Sequence, residues 1–435
     1  MKKILLFLFS IIMVCIAGGK FSPIQNEVCA AERKDEPISP AQYQKMLAKG
    51  MDVDWAKTGE GQRQYCETAV KKFKQAGISH VRIRVKDDAS EKLFQILDRQ
   101  INDCIRNGMI PVLAYQANEF KNSVSDESME AAVKWWEAVA AHYEDYPYLL
   151  SFDLLIECSD ALNKQPEKLN EYFEQAVRAI RLTNPKRILI MSPRVRSDAA
   201  YLKELEIPTQ SNGYMMAEWH FYASGPSKEN ARKLWTTGTD GEKKLIKDKI
   251  NLAKTWQKDT GIPTWVGAWM AGNYNDGDDY TIEEQVKFAH YMVAQLQKAN
   301  IPFAVNSDTK FYNRESNKWI THMLPLRYCI FDSYEKASAQ LFSQSEVKIK
   351  SVRAVSKNSI QVSWEKLKQA AGYRLVISTS SKFNHAKRQY SPSITNKVLK
   401  NLQKGKTYYM KVRGCRNYSG KTIYSGYSRT LKIKI

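Results

Sequence analysis

The sequence predicts a (β/α)8 barrel followed by a smaller all-β sandwich. Two observations predict the barrel: short apolar segments alternate with amphipathic helical patterns, and the alternation continues over about 280 residues. A third observation separates the sandwich, because the chain after residue 342 alternates apolar and polar residues at the period of a β-strand. We therefore expect a barrel over residues 46–335 and a second domain over residues 343–435.

The first residues have the pattern of a secretory signal peptide. Two lysines precede an apolar run in MKKILLFLFSIIMVCIAGG, and small residues follow in VCAAE, where cleavage is expected after Ala30 or Ala31. A membrane anchor is the alternative, but the apolar run is short for a bilayer span. We predict a signal peptide over residues 1–31, a linker over 32–45, and a secreted protein that is extracellular or associated with the cell surface.

Charge divides the chain at the same boundary. The 435 residues carry a net charge of +20, yet residues 1–342 hold 45 Lys and Arg against 44 Asp and Glu. Residues 343–435 hold 21 Lys and Arg and only two acids, Glu346 and Glu365. This asymmetry predicts an anionic partner for the tail, such as an anionic cell-envelope polymer. Nucleic acid is not expected as a partner. The protein is predicted to be secreted, and apart from its charge the tail has no recognised nucleic-acid-binding motif.

Cysteines and acidic loops give no sign of a metal site or a cofactor. Five cysteines follow the signal segment, and their odd number and wide spacing do not form a disulfide framework or a zinc pattern. We expect most of them to be small buried apolar residues. The acidic stretch NYNDGDDY (273–280) lacks the spacing of an EF-hand and is interpreted as a solvated loop.

Eight segments are predicted as the strands of the barrel. They are GMDVDWA (50–56), HVRIRV (80–85), PVLAYQA (111–117), LLSFDLLIE (149–157), ILIMSP (188–193), GYMMAEWHFY (213–222), TWVGAW (264–269) and PFAVNSD (302–308). Helical patterns between them start at residues 62, 92, 129, 169, 243 and 282, and several end in glycine, a usual helix stop. A doubly wound sheet is the alternative, but no Gly-rich phosphate turn follows the first strand.

In such a barrel the active site lies at the carboxyl ends of the strands. That rule alone selects thirteen residues to inspect: Asp54, Arg82, Arg84, Tyr115, Gln116, Glu157, Glu218, His220, Tyr222, Ala268, Trp269, Asn306 and Asp308.

The tail is predicted to be an accessory module. Its strand candidates are SIQVSWEKL (359–367), GYRLVISTS (372–380), SITNKVLKNL (393–402) and TYYMKVRG (407–414), with Trp364 as the core residue. The stretch from Leu402 to Tyr408 resembles the tyrosine corner of a fibronectin type III domain. The resemblance implies a fibronectin-type-III-like sandwich without catalytic function.

The strand motifs of the barrel resemble those of glycoside hydrolase family 5, the cellulase family with a TIM barrel. FDLLIECS resembles the strand that carries the acid/base glutamate, and HVRIRV resembles the second strand with its arginine. WHFY resembles the sixth strand with its His-x-Tyr pair, and IPTWVGAW resembles the seventh strand, which in the family ends in Gly-Glu. The four motifs occur in the family's order.

The resemblance implies roles for individual residues. Glu157 corresponds to the acid/base carboxyl, while Ala268 occupies the position of the nucleophile, so that carboxylate is lost. Arg82, Gln116, His220, Tyr222 and Trp269 are expected to bind substrate. The implied substrate is a polysaccharide of the β-glucan or β-mannan class. Ile156 and Cys158 replace the Asn and Pro that flank the acid/base residue in the family.

Two functions remain open at this point. The first is hydrolysis of O-glycosyl bonds with a relocated second carboxylate, either Glu218 or Asp308, because a glycosidase needs two carboxyl groups. The second is a catalytically inactive protein that binds glycan and is held at the cell surface by its basic tail. Retention of Arg82, Glu157, His220 and Tyr222 favours the first, and loss of the nucleophile favours the second.

Overall fold

A computed structural model describes residues 35–222, 235, 237–272, 280–384 and 387–435. The signal peptide, its cleavage sites and the acidic residues Asp276, Asp278 and Asp279 lie outside these residues. No helix of the described part is both long and apolar enough to cross a bilayer.

Eight parallel strands close into a barrel, as the sequence predicts. Each strand pairs with the next along the chain, and the eighth pairs with the first. Six of the eight strands are shorter than predicted; the fourth ends at Asp153, so Glu157 lies on the loop that follows it. The bounds are β1 Lys49–Val53, β2 His80–Val85, β3 Ile110–Tyr115, β4 Ser151–Asp153, β5 Leu189–Met191, β6 Met215–Tyr222, β7 Thr264–Met270 and β8 Phe303–Asn306.

Helices cover the outside of the barrel. In the fourth helix Leu93, Leu97, Ile101 and Cys104 recur at helical spacing and are buried, and the Ser90 side chain caps its first turn. The bounds are α1 Pro40–Leu47, α2 Gly59–Gln64, α3 Glu67–Gln75, α4 Glu91–Arg106, α5 Asn118–Ser123, α6 Asp126–His142, α7 Pro166–Arg181, α8 Arg194–Ser197, α9 Asp240–Thr260, α10 Ile282–Ala299, α11 Leu324–Phe331 and α12 Tyr334–Gln344. The helical pattern that starts at residue 62 is divided between α2 and α3, because Tyr65 adopts an extended backbone.

A layer of ring side chains forms the floor of the barrel. Trp265 donates from its indole to Nε2 of His80 at 3.1 Å, and Nδ1 of His80 lies 2.6 Å from the carbonyl oxygen of Leu47. Burial lowers the pKa of His80 to about 4, so the ring is neutral and can accept one of these bonds while donating the other. A Cβ at Gly50 would lie 2.2 Å from this ring, so glycine is required there. The floor closes the amino-terminal end of the barrel.

The tail forms two antiparallel sheets around Trp364, which is 2% exposed. The backbone N–H of Gln403 donates to the Tyr408 hydroxyl at 2.7 Å, the contact expected of a tyrosine corner. One sheet has the order β11-β12-β15, and the other has the order β14-β13-β16-β17 with β18 also on β16. The bounds are β9 Tyr312–Asn313 and β10 Lys318–Trp319 beside the barrel, then β11 Ile349–Ser356, β12 Ser359–Trp364, β13 Gly372–Ser378, β14 Arg388–Tyr390, β15 Asn396–Leu399, β16 Thr407–Tyr418, β17 Lys421–Tyr424 and β18 Leu431–Lys434.

Helix α12 lies across the predicted domain boundary. It packs against α11 of the barrel. On its other side the Arg416 guanidinium lies 5.0 Å from the ring centroid of Phe342 and donates to the Ser338 hydroxyl at 3.3 Å. The backbone N–H of Gly426 donates to the Ser345 carbonyl at 2.8 Å, just past the end of the helix. One helix is therefore bonded to both domains.

Cysteines behave as the sequence predicts. None of the five described cysteines forms a disulfide, and Cys104, Cys158 and Cys329 are buried.

Candidate active site

Arg82 is the centre of a buried ion cluster inside the barrel. Its Nε and Nη2 donate to the carboxylate of Asp52 at 3.0 and 3.2 Å, and its Nη1 donates to Glu218 at 2.7 Å and to Asp153 at 3.3 Å. Burial alone would lower the pKa of Arg82, but the charges of Asp52, Glu218 and Asp153 raise it above its usual value. Because Arg82 is 1% exposed, it can influence a bound sugar only through its partners.

Glu157 stands beyond β4 with a backbone φ of 51°, in the left-handed region. Its Oε1 lies 3.0 Å from Nδ1 of His220 and accepts from the Tyr222 hydroxyl at 3.1 Å. Its Oε2 lies 3.9 Å from Nη1 of Arg196. The Glu157 side chain is 17% exposed and the Glu218 side chain is 0% exposed, so Glu157 is the one that a ligand at the barrel mouth can reach.

The surroundings keep Glu157 ionised. Burial alone would raise the pKa of Glu157, but the hydrogen bond and charge of His220, with the charges of Arg82 and Lys121, lower it well below its usual value. An ionised carboxylate accepts hydrogen bonds and has no proton to donate. The general acid of a glycosidase instead has a raised pKa. The shift at Glu157 is thus opposite in direction to that of such an acid.

His220 bridges the two glutamates as an imidazolium. Its Nε2 lies 3.3 Å from Oε2 of Glu218, opposite the contact with Glu157. Burial would lower the pKa of His220, but the charge of Glu218 and the hydrogen bonds to both carboxylates raise it to about 9. At neutral pH both ring nitrogens therefore carry a proton. Nδ1 donates to Glu157 and Nε2 donates to Glu218, because Nη1 of Arg82, 3.2 Å from Nε2, is itself a donor and cannot accept.

Ala268 is fully buried and packs in a small apolar cluster with Tyr222 and Met270. A β-bulge places it there: Trp219 pairs with Val266, but the next residue, His220, pairs with Ala268, so Gly267 is extra. A Cβ on Gly267 would lie 1.9 Å from Oε2 of Glu218, which only glycine avoids. The position that the family resemblance assigns to the nucleophile is occupied by apolar side chains.

Neither candidate for a second carboxylate has a free oxygen toward the barrel mouth. Glu218 contacts Arg82 and His220 through Oε2, and its Oε1 accepts from the Ser197 hydroxyl at 3.5 Å. Asp308 is fully buried and forms two hydrogen bonds with Arg314, at 2.7 and 2.5 Å, and one with the Trp55 indole at 3.1 Å. The placement of both residues argues against the predicted role, because each carboxylate is already engaged in a structural ion pair.

The structure also corrects the prediction for Trp269. Its side chain is fully buried outside the barrel, with its ring centroid 6.0 Å from Phe288 of α10 and 5.6 Å from Phe303. The bulge explains the error, because it turns both Gly267 and Ala268 toward the interior and Trp269 away from it. Trp269 is a core residue.

Two cations that the sequence interpretation did not single out, Lys121 and Arg196, lie near Glu157. Lys121, in the last turn of α5, donates to the Ile156 carbonyl at 2.9 Å and to Gln116 at 3.4 Å, which places Gln116 beside the site. Arg84 pairs with Asp52 at 3.0 Å and with Asp54 at 2.7 Å. Arg84 and Asp54 follow from strand alternation, but Lys121 and Arg196 lie on loops or short helices, where no periodic pattern marks them.

Arg196 is held by an unusual backbone turn. Val195, Arg196 and Ser197 of α8 have φ values of 57°, 54° and 60°, all left-handed. Such conformations cost roughly 1–2 kcal/mol for each non-glycine residue. The turn is fixed by bonds from the Arg196 N–H to the Cys158 carbonyl at 2.8 Å and from the Val195 N–H to Asn163 at 2.7 Å. This turn keeps the guanidinium beside Glu157.

A cavity of about 420 Å³ adjoins the site on the side of β7 and β8. Met270 and Asn306 line the cavity and also border the nucleophile position. Met270 packs against Ala268, and Asn306 donates to the Tyr222 hydroxyl at 3.4 Å. Most other lining side chains are apolar or aromatic, including Tyr280, Phe311 and Ile320.

Comparisons with known proteins agree with this architecture. Residues 40–307 match the family model described as cellulase, glycosyl hydrolase family 5. Endoglucanase H of Acetivibrio thermocellus is 21% identical over 266 residues, which are 58% of this chain and 29% of that protein. The match therefore spans less than a third of that relative's length.

Solved structures share the barrel. An endoglucanase from the hyperthermophilic Thermotoga maritima has a TM-score of 0.59 and 23% identity, over 67% of this chain and 100% of that chain. Structures of that protein have been described with cellobiose and with mannotriose. The cellulose synthase subunit Z of Clostridioides difficile has a TM-score of 0.56 and 22% identity, over 65% of this chain and 99% of that chain. At these identities the likeness establishes the fold.

Proposed function

The chain belongs to glycoside hydrolase family 5, and we propose that its barrel binds a β-linked polysaccharide without hydrolysing it. One observation carries the proposal. Ala268 fills the nucleophile position together with Met270 and Tyr222, and the Tyr222 hydroxyl is turned to Glu157. Retaining hydrolysis needs a carboxylate about 5–5.5 Å from the acid/base residue. Neither predicted candidate, Glu218 or Asp308, supplies one that is free of a structural ion pair.

The state of Glu157 supports the same conclusion. Hydrolysis begins with transfer of a proton to the leaving oxygen, and Glu157 is held ionised by His220 and its neighbouring cations. An ionised Glu157 is instead a hydrogen-bond acceptor for sugar hydroxyl groups.

Inverting hydrolysis, the remaining route, requires space for water between two carboxyl groups about 6.5–9.5 Å apart. Glu157 and Glu218 lie on opposite sides of the His220 ring, at 3.0 and 3.3 Å from its two nitrogens. The ring therefore occupies the place where the water would have to stand. This argues against Glu218 as the second carboxylate.

The relatives support the choice of substrate class. The Thermotoga maritima relative is named an endoglucanase, and its structures include complexes with cellobiose and with mannotriose. We propose a β-glucan or β-mannan as ligand of this chain, with contacts from Glu157 and Gln116. His220, whose side chain is buried between the two glutamates, would act on the ligand through Glu157. The cavity lined by Asn306, Tyr280 and Phe311 offers a surface for an adjoining sugar unit, because aromatic side chains pack well on sugar faces.

A secreted protein of this kind would act by attachment to a glycan. The predicted signal peptide and basic tail support this part of the proposal. The tail's likeness to a fibronectin type III domain rests on the Tyr408 contact and on the two sheets, and it suggests a module that positions the barrel.

The test uses the mature chain with a panel of β-glucans, β-mannans and xylans. Binding is measured by retention on the insoluble polymer or by affinity electrophoresis, and hydrolysis by release of reducing ends. We expect one polymer class to be bound, without release of reducing ends. Release that disappears in Glu157→Gln would overturn the proposal and restore the hydrolase interpretation. Absence of binding to every polymer would overturn it as well.

A further inference from the structure

The outer face of the larger tail sheet carries two arginines directly opposite each other. Arg374 on β13 pairs in register with Arg413 on β16, and Lys411 is two residues from Arg413 on the same face. The opposite face of β16, with Tyr408, Met410 and Val412, is buried in the core of the sandwich. Like charges directly across a strand pair destabilise a sheet.

Aromatic rings separate these cations. The Arg413 guanidinium lies 3.9 Å from the ring centroid of Tyr424 and 4.6 Å from that of Tyr427, and Arg374 lies 4.7 Å from Tyr424. The Lys411 ammonium lies 4.4 Å from Tyr427. It also lies 4.3 Å from the ring centroid of Phe383. We call these six residues the cation–aromatic ladder: Arg374, Phe383, Lys411, Arg413, Tyr424 and Tyr427.

No acid neutralises the ladder within the described part of the tail. The two acids of residues 343–435 are Glu346 and Glu365, and neither forms an ion pair there. Arg374, Lys411 and Arg413 are half-buried, so part of each side chain is accessible. The ladder is thus a set of partly accessible cations held in place by rings.

We propose that the ladder is a binding site for an acidic polysaccharide, which it recognises through the anionic groups of the sugar chain. A guanidinium group presents its N–H donors as a planar fork that fits a carboxylate in bidentate fashion, and it can do so while one face contacts a ring. Two such forks face each other across β13 and β16, so successive acidic groups of one chain can be bound together. The net positive charge of the tail attracts such a polymer from a distance.

Other polyanions fit the ladder less well. Proteins that bind single-stranded nucleic acid stack the bases on free aromatic faces, but the faces of Tyr424 and Tyr427 are covered by cations. Binding to a membrane surface usually adds exposed apolar side chains. The exposed large apolar residues of the tail are Val355, Ile394 and Val398, which lie on β11, on β15 or on the loop before it. An acidic glycan needs neither feature.

This proposal is independent of the function proposed for the barrel. Its test measures binding of the full mature chain to polygalacturonate, to methyl-esterified polygalacturonate, to duplex DNA and to vesicles with anionic lipid. The test variant is Arg374→Gln/Arg413→Gln. The matched control is Lys350→Gln/Arg353→Gln, which removes the same charge from exposed positions on β11 of the other sheet.

We expect the test variant to bind polygalacturonate at least about tenfold more weakly, which corresponds to about 1.4 kcal/mol, while the control changes binding less than about threefold. The esterified polymer should bind weakly to all proteins. Equal losses in both variants would overturn the ladder as a site, since they would reveal a general charge effect. Ladder-dependent binding of DNA or vesicles at equal strength would overturn the choice of ligand.

A charge-preserving variant protects the test against misfolding. Arg374→Lys/Arg413→Lys keeps the charge but loses the planar fork. We expect an intermediate affinity and an unchanged melting temperature. Affinity equal to that of the parent would contradict bidentate recognition.

Discussion

The Tyr222 hydroxyl donates a hydrogen bond to Oε1 of Glu157 at 3.1 Å. Burial and the charge of Glu157 raise the pKa of Tyr222, so the hydroxyl keeps its proton. On the β7 side, Tyr222 packs with Ala268 and Met270 in the apolar cluster. Glu157 is thereby held as an acceptor, which is a suitable state for binding a sugar and an unsuitable one for protonating a leaving group.

Installing the missing carboxylate tests whether Ala268 alone separates binding from hydrolysis. Ala268 is fully buried, so Ala268→Glu is combined with Met270→Ala to provide space. A second carboxylate near Glu157 raises the pKa of Glu157 by like-charge repulsion, in the direction that a general acid requires. We expect the double variant to release reducing ends from the polymer that the parent binds.

Its control is Ala268→Gln/Met270→Ala, which has nearly the same shape and no nucleophile. We expect no release from the control. If the glutamate variant folds, binds polymer and releases nothing, Ala268 is not the single missing group.

Stability should depend on pH through His220. The pKa of His220 is raised to about 9 from an ordinary 6.5, so its contribution is complete below pH 6.5 and is lost as pH rises through about 9. Each pKa unit corresponds to 1.36 kcal/mol, which bounds the loss at about 3 kcal/mol. Urea unfolding at pH 6.5 and pH 9 measures it.

The control is His220→Gln, which cannot titrate. We expect its free energy of unfolding to change less between the two pH values than that of the parent. Parallel curves for the two proteins would mean that His220 is not the group responsible.

Gly267 should not tolerate a methyl group. Its added Cβ would lie 1.9 Å from Oε2 of Glu218, which is itself bonded to Arg82. We expect Gly267→Ala to lower the free energy of unfolding by about 1–3 kcal/mol or more through overpacking. Gly241→Ala is the control, since nothing lies within 4 Å of its added Cβ, and thermal unfolding of both decides the matter. Equal stability of the two variants would contradict the bulge described here.

Asp308 should matter for stability and not for ligand binding. Asp308→Asn leaves the buried Arg314 without its charged partner, and breaking such a pair costs about 3–5 kcal/mol. The double variant Asp308→Leu/Arg314→Leu removes both charges and should recover most of that loss. We expect polymer affinity to stay within about twofold wherever the protein is folded. A selective loss of affinity without loss of stability would return Asp308 to the site.

Alternation along the strands made much of the site predictable. Arg82, His220 and Tyr222 each follow the period of two that turns side chains into a parallel barrel, and the structure places them around one cluster. The rest depended on features without a periodic signal. The bulge at Gly267 reversed the direction of Trp269, and Asp308 pairs with Arg314, six residues further along the chain and past β9. Arg196 is positioned by a left-handed turn of Val195, Arg196 and Ser197, and none of these residue types predicts such a backbone conformation.

Helix α12 limits how the barrel can move relative to the sandwich. Because the same helix is bonded to the barrel through α11 and to the sandwich through Phe342 and Ser338, the two domains are not joined by a slack tether. A flexible linker would allow the barrel many positions around a sandwich that is bound to a polymer. A short rigid linker instead fixes the distance and the direction between the two domains. If the sandwich is bound to a glycan as proposed, the barrel mouth can then contact polymer only at one fixed distance from the bound sandwich. Sampling a second stretch of polymer then requires the whole molecule to detach or slide.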